Sequence, residues 1–130
     1  MEIDLPDVVA EVSAVFARYQ KALAENDVAT LNLLFRKDPR TIRYGGGENL
    51  YGYDAIQAFR AARQPGGLPS TQSRTVITTF GRDFAVAATL FHRQETPNKV
   101  GRMMQTWVLF DIGWQIVAAH VSVINAPHEA

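Results

Sequence analysis

Few side chains in this 130-residue chain are placed to do chemistry, and most of those stand among apolar neighbours. Tyr19 follows Phe16 by three and precedes Leu23 by four, so it rides the apolar stripe of a helix and carries a hydroxyl inward. A buried phenol needs a hydrogen-bond partner, and a backbone carbonyl or a ligand can supply one. Arg43 alternates with Ile42 and Tyr44 in an extended stretch. If those two enter the core, Arg43 faces the other way, into solvent or into the cavity of a curved sheet. At a cavity mouth its planar guanidinium would grip a carboxylate through two parallel bonds, which a lysine cannot do.

Later in the chain, Gln105 and Trp107 share one strand face with Met103 and Leu109, while Met104, Thr106 and Val108 share the other. A carboxamide among large apolar side chains is costly unless bonded. Its candidate partners are a substrate amide or carboxylate, Tyr19, or the backbone. His120 and Ser122 fall on the same face as Trp114, Ile116 and Ala118. A histidine near neutral pKa is suited to general base work and to substrate contact. The same pair serves equally as a structural hydrogen bond, and a serine–histidine relay would need an orienting acid and an oxyanion hole that the sequence does not identify.

Other chemistries find little support. His92, His120 and His128 stand too far apart for a local metal motif and have no acid at ligand spacing, so no metal is expected. Gly45-Gly46-Gly47 lacks the lysine and the following helix of a phosphate-binding loop and reads as a turn. Arg60, Arg63 and Arg74 gather near a loop, as a solvated rim or as a draw for an anion. The chain has no cysteine, which removes disulfides and thiol nucleophiles.

The elements that must hold these residues are legible in the hydrophobic periodicity. Pro6 opens a long amphipathic helix through Val8, Val12, Phe16, Tyr19 and Leu23, broken at Asn26-Asp27. Asp27 can cap a short second helix through Leu31, Leu34 and Phe35. A short strand is predicted at Thr41–Tyr44, a third helix at Ala55–Arg63, and a loop from Gln64 to Pro69. Then come four strands, Arg74–Phe80, Phe84–Gln94, Met103–Phe110 and Trp114–Ile124, rich in Val, Ile, Phe, Trp and Thr. Helices first and sheet last, within 1–130 as one domain, argue for an α+β fold whose helices cover one face of a curved sheet. The last strand is apolar on both faces, which points to a homodimer through the sheet. Thirteen basic residues balance thirteen acidic ones, so net charge gives no pull toward nucleic acid or a membrane surface. The acidic N-terminus lacks the order of a signal peptide, and a cytoplasmic protein is expected.

Several stretches carry a more specific likeness. Glu48-Asn-Leu-Tyr-Gly-Tyr-Asp-Ala-Ile56, Thr79-Phe-Gly-Arg-Asp-Phe84, Gln105-Thr-Trp107 and Gly113-Trp-Gln-Ile-Val-Ala-Ala-His-Val-Ser122 resemble the AtzH-like proteins, a group that includes the oxalurate-catabolism protein HpxZ, within the nuclear transport factor 2-like superfamily. The resemblance implies a cone of about three helices against a strongly bent, mostly antiparallel sheet. It also implies a cofactor-free bacterial amidohydrolase of nitrogen catabolism, converting a carboxylated urea such as 1,3-dicarboxyurea to allophanate with loss of a carboxylate. The catalytic pair it implies falls on Tyr19 and Arg43, with Gln105, Trp107 and His120 as expected substrate contacts. The rival expectation is a ligand-binding accessory to a partner amidase. Met104 stands where the family pattern leads us to expect a polar residue; in the cavity it would make the pocket more apolar. A ketosteroid-isomerase-like proton transfer wants a carboxylate base in an apolar cone, and the interior strands carry no acid.

Overall fold

The computed structural model describes residues 1–63 and 69–126, so most of the predicted loop from Gln64 and the histidine at 128 lie outside the described residues. Helix α1, Pro6–Glu25, begins on a proline whose missing amide costs nothing in a first turn. Val8, Val12, Phe16, Tyr19 and Ala22 form its buried stripe. Asn26, in the left-handed region with φ 53°, closes the helix by donating its amide to the carbonyls of Ala22 and Leu23. Asp27 then caps α2, Val28–Leu34: its carboxylate accepts from the Thr30 amide at 3.2 Å and the Thr30 hydroxyl at 2.7 Å. Phe35, expected in that helix, is already extended and bridges to Ile116.

Next come β1, Ile42–Tyr44, β2, Asn49–Tyr51, and α3, Tyr53–Ala61. The strands β3, Thr71–Phe80, β4, Phe84–His92, β5, Lys99–Phe110, and β6, Gly113–Asn125, complete the chain. All six strands join one sheet in the order β2-β1-β6-β5-β4-β3, antiparallel except where β1 runs parallel to β6. The architecture is therefore α+β, with three helices on a six-stranded, mostly antiparallel sheet among the described residues. Helix α1 packs on β3 and α2, α2 on β6 and α3, and α3 on β1 and β2. No described helix is long and apolar enough to cross a membrane.

Two irregularities decide which side chains face the helices. In β3 the register shifts between Ser73 and Val76, where Arg74 takes a left-handed φ of 51°. In β6, Thr106 pairs with Ala118 but Trp107 pairs with Ile116, so Val117 is an extra, bulged residue. An extra residue in a period-two element exchanges the faces of everything beyond it. Trp114 and Ile116 are buried under the helices, and past the bulge Ala119 is the buried residue while His120 is exposed. The expectation that His120 shares a face with Trp114 and Ile116 is thus corrected. The helix-covered face is completed by Ala85, Ala87, Thr89 and Phe91 of β4 and by Met103, Gln105 and Trp107 of β5.

Candidate functional site

Cross-strand register puts Ala87, Gln105, Ala119 and Arg43 in one row across β4, β5, β6 and β1. Arg43, at one end of that row, opens on a cavity of about 40 Å³, and the neighbouring pair Met103 and Val121 also lines it. Tyr19, Gln20 and Leu23 of α1 form one wall; Arg43, Met103, Val121 and Phe91 come from the sheet. Arg63, Ser70 and Arg93 line it from the ends of elements. The space is small and suits a compact polar molecule rather than a drug-sized or steroid ligand, whose sites run to several hundred Å³.

Tyr19 is held by packing. Its ring stands edge-on to Trp107 at 6.5 Å and tilted to Phe35 at 6.3 Å. Its hydroxyl has no hydrogen-bond partner among the described residues and is not sealed off, so it meets the cavity. Arg43 is 9% exposed, and its Nη1 donates to Glu48 Oε1 at 2.8 Å. Glu48 Oε2 in turn accepts from the Gly47 amide at 3.1 Å. A Cβ on residue 45 would fall 1.8 Å from Glu48 Oε1, so Gly45 is what lets the carboxylate fold across the hairpin onto Arg43. The alternation of β1 buries the arginine, while Ile42 and Tyr44 on its other face are half-buried, so the condition that those two enter the core is not met.

Two more guanidiniums reach the cavity. Arg43 and Arg63 flank the ring of Phe59 at 5.8 and 5.7 Å. Burial, and then the Arg43 charge, lower the Arg63 pKa from its ordinary value. Arg93 lies over the ring of Phe91 at 5.1 Å, and its Nε is buried with no partner among the described residues. Phe91 leans flat on Gly101 of the neighbouring strand, where a Cβ would come within 2.1 Å of the ring. Arg60 stands behind the site: it donates to Asn32 Oδ1 at 2.7 Å, covers Phe35, and burial lowers its pKa to about 10.

The AtzH-like family profile matches residues 1–127. The chain belongs to the AtzH-like family. No curated protein matches it. Among solved structures, a protein of unknown function from Pectobacterium atrosepticum is 54% identical, with 95% of each chain covered and a TM-score of 0.92. A cystatin-like fold protein from Burkholderia xenovorans is 47% identical over 98% of this chain and 99% of that one, also at a TM-score of 0.92. A nuclear transport factor 2-like protein of unknown function from Pseudomonas putida shares the fold at 16% identity, covering 95% of this chain and 89% of that one, with a TM-score of 0.76.

In this AtzH-like chain the expected site residues separate into three groups. Tyr19 and Arg43 line the cavity together. Gln105 and Trp107 do not: both are buried, 1% and 0% exposed. Trp107 Nε1 donates to Gln105 Oε1 at 3.1 Å, and Gln105 Nε2 donates to Met103 Sδ at 3.5 Å. The carboxamide's partners are thus a tryptophan and a thioether that floors the cavity. His120 is on the opposite face, paired in register with Met104 and edge-on to Tyr44 at 6.0 Å. Met104 is 56% exposed there, neither in the cavity nor in the core, so its departure from the family pattern does not bear on the pocket. Ser122 accepts from Arg102 Nε at 3.2 Å rather than pairing with His120. Of the arginine cluster near the loop only Arg63 lines the cavity; Arg74 is exposed on the bulge. Arg93 was missed, although inward Ala85, Ala87, Thr89 and Phe91 set an alternation that, carried on two residues, aims it inward.

Proposed function

We propose that this AtzH-like protein is a small amidohydrolase that removes one carboxylate from 1,3-dicarboxyurea to give allophanate, using its own side chains. What supports the reading is the convergence of Tyr19 and Arg43 on one small cavity rich in guanidinium groups. Arg43, steadied by Glu48, holds a substrate carboxylate by a charge-assisted bond. The free Tyr19 hydroxyl donates to the urea oxygen or to the leaving nitrogen. The bond between that nitrogen and its carboxylate carbon breaks, the electron pair stays on nitrogen, a proton is taken up there, and carbon dioxide departs. The dianion plus one proton yields monoanionic allophanate and carbon dioxide, which water then hydrates. Such a step needs a proton donor and charge positioning rather than a nucleophilic triad.

One observation favours a second reading. Among the described residues that line the cavity there is no carboxylate and no imidazole, and the nearby Glu48 is bound to Arg43. A site with donors and no base suits a protein that holds a labile ureido acid for a partner amidase. Fresh 1,3-dicarboxyurea separates the two. Carbon dioxide and allophanate appearing well above the uncatalysed rate with purified protein support the hydrolase; saturable binding at the uncatalysed rate supports the accessory.

A further inference from the structure

Glu48 is the carboxylate paired with the cavity's arginines, and it is committed to Arg43 and to the Gly47 amide. Arg63 and Arg93 have no carboxylate partner among the described residues, and Arg93 keeps a buried Nε donor unbonded. Both side chains are half-buried, and an unbonded buried donor and crowded like charges cost free energy that an anion in the cavity would offset. Arg43 comes from β1 and Arg93 from the end of β4, with β6 and β5 between them. Arg43 stands in register with Ala87 of β4 and Arg93 lies six residues farther along, so three strand spacings and about 20 Å of strand separate their backbones, and the two guanidiniums reach one cavity from different directions.

We infer that Arg93 is a second carboxylate clamp, set across the cavity from Arg43 and its neighbour Arg63, which makes the cavity selective for a short dicarboxylate over the corresponding monocarboxylate. A monoanion satisfies one end and leaves the other guanidiniums in mutual repulsion. A planar dianion with a carboxylate at each end satisfies both. Burial first, and then the Arg43 charge, lower the proton affinity of Arg63, in keeping with guanidiniums crowded on one side of the cavity. The inference rests on the carboxylated urea proposed above and adds a consequence. Loss of one carboxylate dissolves one clamp, so the monoanionic product is held more weakly than the substrate and leaves.

The test uses a matched pair of carbon probes, freshly neutralised and titrated cold because both are β-keto acids that slowly lose carbon dioxide. In 3-oxoglutarate, methylenes replace the two nitrogens of 1,3-dicarboxyurea, and acetoacetate stands to it as allophanate stands to the substrate. Isothermal titration of the wild-type protein is expected to show 3-oxoglutarate binding at least tenfold tighter than acetoacetate. Arg93→Gln should weaken 3-oxoglutarate at least tenfold and change acetoacetate less than threefold, and circular dichroism checks that the variant is folded. Equal binding of the two probes by the wild type, or equal loss of both in folded Arg93→Gln, overturns the inference. Selective binding without carbon dioxide release from 1,3-dicarboxyurea would sink the hydrolase and leave the clamp. Turnover without selectivity would do the reverse.

Discussion

At Tyr19 and Arg43 the sequence was informative because each obeys a simple period: one sits on a helical stripe, the other alternates in a strand. Whether Arg43 met solvent or cavity was not readable, because that depends on β1 lying beside β6, a parallel pairing between distant segments. His120 was misread for a more local reason. Alternation counted from Trp114 is right up to Ile116 and wrong after Val117, and nothing in an unbroken apolar run marks the bulge. The corrected position gives a definite expectation: His120→Ala should leave carbon dioxide release from 1,3-dicarboxyurea within twofold of wild type at pH 7. A loss of a hundredfold or more would return the imidazole to the chemistry.

At the scale of elements, the helices and four long strands were legible, while β2 was not predicted because Asn49–Tyr51 offers three residues and no alternation to count. What places β1, and with it Arg43, is the turn before it. The Asp38 carbonyl accepts from the Thr41 amide at 3.2 Å and from the Tyr53 amide at 3.1 Å, tying β1 to α3. Its carboxylate accepts from the Arg40 amide at 2.8 Å and from the Arg40 guanidinium at 2.9 and 2.8 Å. The Arg40 side-chain bonds, and then its backbone amide, hold the Asp38 pKa far below the ordinary carboxylate value. A carboxylate whose folded pKa is depressed contributes stability that is complete above its unfolded pKa and lost as pH falls through the folded one. In Asp38→Asn that contribution is absent at every pH. Its melting temperature should be below wild type at pH 7, and the gap should narrow as the pH is lowered from about 5 to about 2. A gap that stays constant in thermal melts across this range would show that the pairing adds nothing to stability.

At the scale of the whole molecule, the face turned away from the helices is left uncovered. Register aligns Val76, Ala88, Met104, His120 and Tyr44 in one row across five strands, with Val76 58% and Met104 56% exposed. An apolar row on the outside of a sheet calls for cover. We propose that a second copy of the chain supplies it. Sedimentation should give the dimer mass for wild type, and Met104→Glu should raise the dissociation constant at least hundredfold, because each copy would bring an unpaired carboxylate into the contact. A wild-type chain that stays monomeric at every concentration tested contradicts the proposal. The sheet face was legible in the sequence as an excess of apolar residues in the last strand; which of them face outward was not, again because of Val117.

The central claim is that Tyr19 acts on a molecule held by the arginines, and Tyr19→Phe tests it most directly. The substitution keeps the packing on Trp107 and Phe35 and removes a hydroxyl that has no described protein partner, so stability should change by less than about 1 kcal/mol. Binding of 3-oxoglutarate should stay within a few fold of wild type, while carbon dioxide release from 1,3-dicarboxyurea should fall at least a hundredfold, the scale of a lost proton donor. Release by Tyr19→Phe at the wild-type rate, with binding intact, would contradict the account.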